Sequence, residues 1–282
     1  MKKEVRQFYT GERALFAAKD MHLVECTFDA GESPLKESSN LVLDNCLFKW
    51  KYPLWYGKDI TLNNCTLFDT ARAGIWYTDN ITFNNCVIEA VKSFRRATRV
   101  TLNNVVIPNA IETLWNCSNV TLRNVQAQGT YFAMGCKNIT CEDFVLTGDY
   151  CFDGAENVTI RRARLLSKDS FWNAKNVLVE DSFISGEYLA WNAENVTLVN
   201  CTVESLQGLC YIKNLKLINC KLINTTRALE YSTVDADIVG HVDSIVNPTS
   251  GRIVADSIGE LVLDDKYIDP TKTSVTLRGK KQ

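Results

Sequence analysis

Residues 80–88 read NITFNNCVI, and residues 59–67 read DITLNNCTL. The two stretches share Ile-Thr at their second and third places and Asn-Asn-Cys at their fifth to seventh. Moving outward, the same unit recurs on both sides. Upstream it appears as DMHLVECTF from Asp20 and NLVLDNCLF from Asn40. Downstream come RVTLNNVVI (Arg99), NVTLRNVQA (Asn119), NITCEDFVL (Asn138), NVTIRRARL (Asn157), NVLVEDSFI (Asn176), NVTLVNCTV (Asn195) and NLKLINCKL (Asn214). Eleven copies at so even an interval demand a repeat architecture.

Each unit has a readable shape. With the first residue as anchor, positions one and three are apolar and position two is often Thr, the period-two alternation of a short strand. Position five is often Asn (Asn45, Asn64, Asn85, Asn104, Asn124, Asn200, Asn219), which suits a turn. Positions six and eight are apolar again, a second strand. A third short strand ending near the next anchor completes the coil. Three strands in about 19 residues make one turn of a right-handed parallel β-helix, an all-β solenoid. The copies give about 12 coils. A leucine-rich repeat fails on its Asn spacing and needs a helical pattern that is missing. A left-handed β-helix needs a six-residue sub-period, also missing. The expectation is one domain over residues 1–282: an N-terminal cap and coil entry at 1–19, regular coils at 20–233, and irregular final coils with a cap at 234–282.

Stacking ~4.8 Å apart puts equivalent side chains above one another. Cys26, Cys46, Cys65 and Cys86, continued by Val105, Val125, Phe144, Ala163, Ser182, Cys201 and Cys220, then form an inward column. The Asn column at position five is expected to form an amide ladder that satisfies buried turn polarity.

The bulk numbers exclude several functions. The formal net charge is −2, so no basic excess points to nucleic acid or an anionic membrane. The start, MKKEVRQFYTGERALF, has no apolar run and does not read as a secretory signal; no stretch approaches the ~20 apolar residues of a membrane span. A cytoplasmic location is expected. Eleven cysteines without a CxxC pair, and only two histidines, argue for buried thiols and for neither a metal site nor a cofactor. The Asn-Val-Thr and Asn-Ile-Thr triplets arise from the repeat itself.

Coils such as NITFNNCVI resemble right-handed β-helix proteins of the pectate-lyase-like type. The stretches GESPLKES, KYPLWY, ARAGIWY, ETLWNC, FDGA and GEYLAWN resemble more closely an uncharacterised bacterial β-helix family, a domain of unknown function, over essentially the whole chain. That resemblance implies a fold and no catalytic residues.

One column departs from the core pattern. Four positions before each anchor stand Phe16, Lys36, Trp55, Trp76, Arg95, Trp115, Met134, Asp153, Trp172, Trp191 and Cys210, with Glu230 aligned after them. Its neighbour, five positions before the anchor, is apolar throughout. Charges in the first column, and alternation against the second, favour the outer face, with a partly buried corner as the alternative. A soluble chain exposes such a stripe for a ligand groove, an oligomer interface or cover by a terminus. Asn116, Asn173 and Asn192 follow their tryptophans and suit hydroxyl groups. Tyr56, Tyr77, Tyr211 and Tyr231 hold the same place in other coils. Arg72, Arg95 and Arg96, with Lys36 and Lys92 near, suit a carboxylate or phosphate, or else pair with Glu112 and Glu37.

The leading expectation is binding or processing of an acidic carbohydrate or sugar phosphate on this Trp/Arg face. If chemistry occurs, a polysaccharide lyase or glycoside hydrolase reaction is implied. Its candidate catalytic residues are Asp153 and Glu112 as carboxylates and Arg95 as a base. Asp149 and Asp169 look like turn residues. The alternative is a scaffold whose Trp face binds a protein or a second copy, which leaves a homo-oligomer open.

Overall fold

The computed structural model describes residues 1–279, and the chain divides into two compact units, Met1–Leu146 and Thr147–Gln282. Both are built from parallel β-coils. In the first, the leading strand of each coil is Lys2–Val5, Lys19–Val24, Ser39–Asp44, Lys58–Asn63, Asp79–Asn84, Thr98–Ile107 and Ser118–Gln128, with Lys137–Asp149 beginning the eighth. In the second, these strands are Glu156–Arg161, Lys175–Glu180, Glu194–Val199, Lys213–Thr226, Thr233–Val246, Ser250–Val262 and Thr273–Leu277. Neighbouring rungs pair parallel and in register, so that Leu41 faces Ile60, Ile60 faces Ile81, and Ile81 faces Val100. In the second unit Val158 faces Val177, which faces Val196, which faces Leu215. The protein is an all-β, right-handed parallel β-helix, the hand that crossovers between parallel strands require.

The registers explain the core. Apolar residues at positions one and three point inward, and like stacks on like. Phe28 and Phe48 lie with centroids 4.8 Å apart at 5°. Phe152 and Phe171 repeat this in the second unit, at 5.1 Å and 10°. All eleven cysteines are buried free thiols. In the Cys column the backbone N–H of Cys46 points at Cys65 Sγ, and that of Cys65 at Cys86 Sγ, each at 3.3 Å.

Three expectations need correction. The described residues contain fifteen rungs rather than about twelve. Residues 2–5 already form a rung, and three more begin at Thr233, Ser250 and Thr273. The last coils escaped the period because their spacing changes. Val234 faces Gly251, a shorter step than the regular coil takes, and Gly251 faces Thr273, a longer one. Second, the third segment of the coil is no regular strand. In the first unit it shows only isolated bridges, Trp76 to Arg95 and Arg95 to Trp115. Left-handed residues interrupt it, for example Lys92 (φ 57°), Phe94 (57°) and Arg96 (50°). An extended run cannot persist through such residues. Third, the Asn ladder exists but is exposed. Asn124 Nδ2 donates to Asn104 at 2.8 Å and Asn104 to Asn85 at 2.9 Å, on the solvent side of the corner. The anchors form a second exposed ladder, Asn214 to Asn195 to Asn176 to Asn157 at 2.8 to 2.9 Å. Both columns are left-handed, which Asn tolerates better than other non-glycine residues.

Among the described residues the helical segments are the two short turns Asp69–Ala71 and Pro270–Lys272. Among the described residues no helix is long and apolar enough to cross a membrane.

Candidate functional site

In the first unit the column four before the anchor lies half-buried on the outer face. Trp55 and Trp76 stack at 5.0 Å and 8°. The Arg95 guanidinium covers the other face of Trp76 at 4.7 Å and meets Trp115 at 4.5 Å. One position on, Tyr56 and Tyr77 form a parallel stack at 4.9 Å and 7°. It is capped by Lys36 at 5.6 Å from Tyr56 and by Arg96 at 6.0 Å from Tyr77. Coil stacking forces these files, since identical addresses in successive rungs fall one above another.

The indole N–H groups are engaged by the scaffold. Trp55, Trp76 and Trp115 each donate to a carbonyl of the next coil, that of Ala73 (2.5 Å), Lys92 (2.8 Å) and Tyr131 (2.8 Å). Trp172 does the same to Tyr188 at 3.0 Å. Tyr52 packs against Trp55 in a tilted contact, at 4.8 Å and 43°. With Trp55 on one face and Arg95 on the other, Trp76 turns its ring edge outward.

Beside them lies a cavity of about 340 Å³ lined by Tyr52, Trp55, Arg72, Ala73, Trp76, Val91 and Lys92. Lys92 shares the Glu112 carboxylate with Arg95, at 3.3 and 2.9 Å. Among the described residues no carboxylate lies within ion-pair distance of the exposed Arg72.

The second unit has a cavity at the same repeat addresses. It measures about 310 Å³ and is lined by Tyr150, Lys168, Asp169, Trp172, Tyr188 and Trp191. Here the rings cross: Tyr150 meets Trp172 at 86°, and Tyr188 meets Trp191 at 81°. Trp172 and Trp191 stand 6.3 Å apart at 32°, a looser pair than Trp55 and Trp76. Asp169 is only 2% exposed. Burial pushes its carboxyl above the usual range, against the opposing effects of the Lys168 charge and a hydrogen bond with Tyr150.

The remaining sequence candidates scatter. Glu112 is held in the ion pairs just described. Asp153 accepts from Asn173 at 3.2 Å, and Asn192 donates to Asn173 at 2.8 Å, so these amides continue a ladder. Asn116 is exposed. Tyr211 and Tyr231 extend the aromatic file from Trp191, at 4.6 and 5.2 Å. Glu230, aligned with the outer column, is instead 5% exposed and takes Arg227 at 2.7 Å and Gln207 at 3.2 Å. Sequence reasoning passed over Tyr52, Tyr150, Tyr188 and Lys168, and set Asp169 aside as a turn residue. The signal was present as tyrosines recurring seven before the anchor in four coils: Tyr52, Tyr131, Tyr150 and Tyr188. Among the described residues no group of His, Cys, Asp and Glu could hold a metal.

Fold and site together define a parallel β-helix with aromatic, charged cavities on its outer face. The chain belongs to the family described as "Protein of unknown function (DUF3737)", whose model matches residues 2–276. No curated protein matches it. Among solved structures it is similar to PfbA, a surface adhesin of Streptococcus pneumoniae, at 9% identity and TM-score 0.39, over 92% of this chain and 81% of that one. It is similar to the A-module of the Azotobacter vinelandii mannuronan C-5 epimerase AlgE4, at 10% and 0.32, over 98% and 88%. The tailspike protein of the E. coli bacteriophage HK620, solved with a pentasaccharide, follows at 11% and 0.40, over 91% and 62%. At such identities these likenesses concern the fold alone.

Proposed function

We propose that the cavity of the first unit binds an acidic saccharide or a sugar phosphate. The observation that carries this reading is Arg72, an exposed guanidinium without an ion-pair partner among the described residues, on the wall of an aromatic cavity. Guanidinium groups favour carboxylates and phosphates, which accept two parallel N–H bonds. The rings support the same sign. An aromatic ring is negative on its faces and positive at its edge, and Trp76 has both faces covered. Its edge, Arg72 and Lys92 together favour an anion, while the apolar flanks of Tyr52 and Val91 suit the C–H surface of a sugar ring. The volume falls at the lower end of the ~300–1,000 Å³ typical of small-ligand sites.

The test is a titration of galacturonate oligosaccharides and a hexose phosphate, followed by tryptophan fluorescence, beside neutral oligosaccharides of equal length. The acidic ligands are expected to bind, and Arg72→Ala to weaken them about tenfold, the loss of one charged hydrogen-bonding group. Arg72 is exposed, so its removal leaves the coils intact. Equal binding of neutral and acidic sugars, or an Arg72→Ala variant that binds as before, rejects the reading.

A further inference from the structure

We propose that the cavity of the second unit, walled by Tyr150, Trp172, Tyr188 and Trp191 around the buried carboxyl of Asp169, is a site for a small alkylammonium cation. This inference uses different residues from the anion site and stands or falls without it. Its chemistry is the opposite of the first cavity's, although both occupy the same addresses of the repeat.

Ring geometry is the first ground. Two rings at right angles enclose a corner, and a group lodged there meets ring faces. Tyr150 with Trp172 and Tyr188 with Trp191 form two such corners beside one space of about 310 Å³. Ring faces attract cations, most strongly those of Trp, and weakly hydrated alkylammonium groups most of all. The wall already meets one ammonium: Lys168 Nζ lies 5.5 Å from the Tyr188 centroid. Lys168 does not fill the cage. It is about half exposed and paired with Glu187 at 3.3 Å.

Charge is the second ground. A carboxyl 2% exposed is unfavourable to ionise without a cation beside it. Of the groups that act on Asp169, Lys168 and the Tyr150 hydroxyl favour its charged form, and Asp149 and Glu187 oppose it. The lysine that favours the charged form, Lys168, is already shared with Glu187. Burial raises the Asp169 carboxyl, and a bound cation would offset that effect.

The experiment titrates tetramethylammonium and choline into the whole protein, followed by tryptophan fluorescence. The uncharged isostere 3,3-dimethylbutan-1-ol serves as control, and a peptide carrying trimethyllysine separates a protein-borne source of the cation from a free one. Saturable binding of either charged form is expected, at least about tenfold tighter than the isostere. Asp169→Asn should weaken it about tenfold. Asn accepts the left-handed backbone at this position (φ 54°), so the variant should fold. Tyr188→Leu provides a second lesion, in the cage itself. Affinity should also fall on acidification as Asp169 takes up its proton, whereas Arg72→Ala should leave it unchanged. No saturable binding by any cation, isostere binding as tight as choline, or an Asp169→Asn variant that binds as before overturns the proposal.

Discussion

Arg95 and Glu112 form an ion pair at 2.9 Å, and the cationic partner is clamped between two indoles. The guanidinium thereby joins the Trp55–Trp76 stack to Trp115. Its Nε is buried without a hydrogen-bond partner, so the clamp holds it against a desolvation cost. Cation–π contacts contribute about 0.5–2 kcal/mol each, depending on burial. Arg95→Ala should therefore lower stability by about 2–3 kcal/mol, read from the urea midpoint. Arg95→Lys should recover only part of this, because an ammonium cannot lie flat between two rings. A variant as stable as the parent would show that the stack holds without its cation.

Asn200 tests the corner. It sits at φ 53°, donates to Asp181 at 3.0 Å and accepts from Asn219 at 2.9 Å. Asn200→Ala loses the ladder and adds the steric cost of a left-handed residue, about 1–2 kcal/mol. Asn200→Gly loses the ladder alone. Thermal denaturation should rank the parent above Gly and Gly above Ala. The reverse order of the two variants would show that the left-handed backbone adds no steric cost at this position.

Gly251 permits the late coils. Its φ is 122°, and a Cβ there would lie 1.8 Å from the Val234 carbonyl oxygen. Gly251→Ala should break the pairing of Thr233–Val246 with Ser250–Val262 and raise amide exchange in those strands selectively. Unchanged exchange protection would mean that the carbonyl can yield.

The thiols give a pH dependence. Burial pushes Cys201 and Cys210 up to about 12. A free thiol titrates near 8.5–9, so the unfolded chain loses these protons first. The raised folded values therefore favour the fold below about pH 9, and that stability is lost as pH rises toward 12. The urea midpoint should fall between pH 8 and pH 10.5, and less so in a Cys201→Ala, Cys210→Ala variant. In native buffer at pH 8 a thiol reagent should label neither residue, and after unfolding it should label both.

The coil was legible because stacking imposes a repeat on the sequence. Ile60, Ile81 and Val100 must each be apolar, since each is the floor for the next. The late rungs were not legible, because one short step and one long step erase the period while the parallel pairing persists. The third segment misled for a different reason. Its outward column alternates like a strand, but left-handed residues such as Phe94 and Arg96 carry no signature in their side chains. At the candidate sites the tryptophans announced themselves by composition. Asp169 did not, because SKDS reads as an ordinary turn, and only the neighbouring coils make it a buried group.

The side-chain ladders join residues one coil apart in the chain, as from Asn195 to Asn176 or Asn80 to Asp59. Closing one such loop is the main entropic cost of adding a coil, and it is nearly the same at every step. Folding within each unit should then resemble a zipper: slow to start, indifferent to where it starts, and quick to extend. A lesion such as Gly251→Ala would act as a stop at one rung, with coils ahead of it still closing at their usual rate.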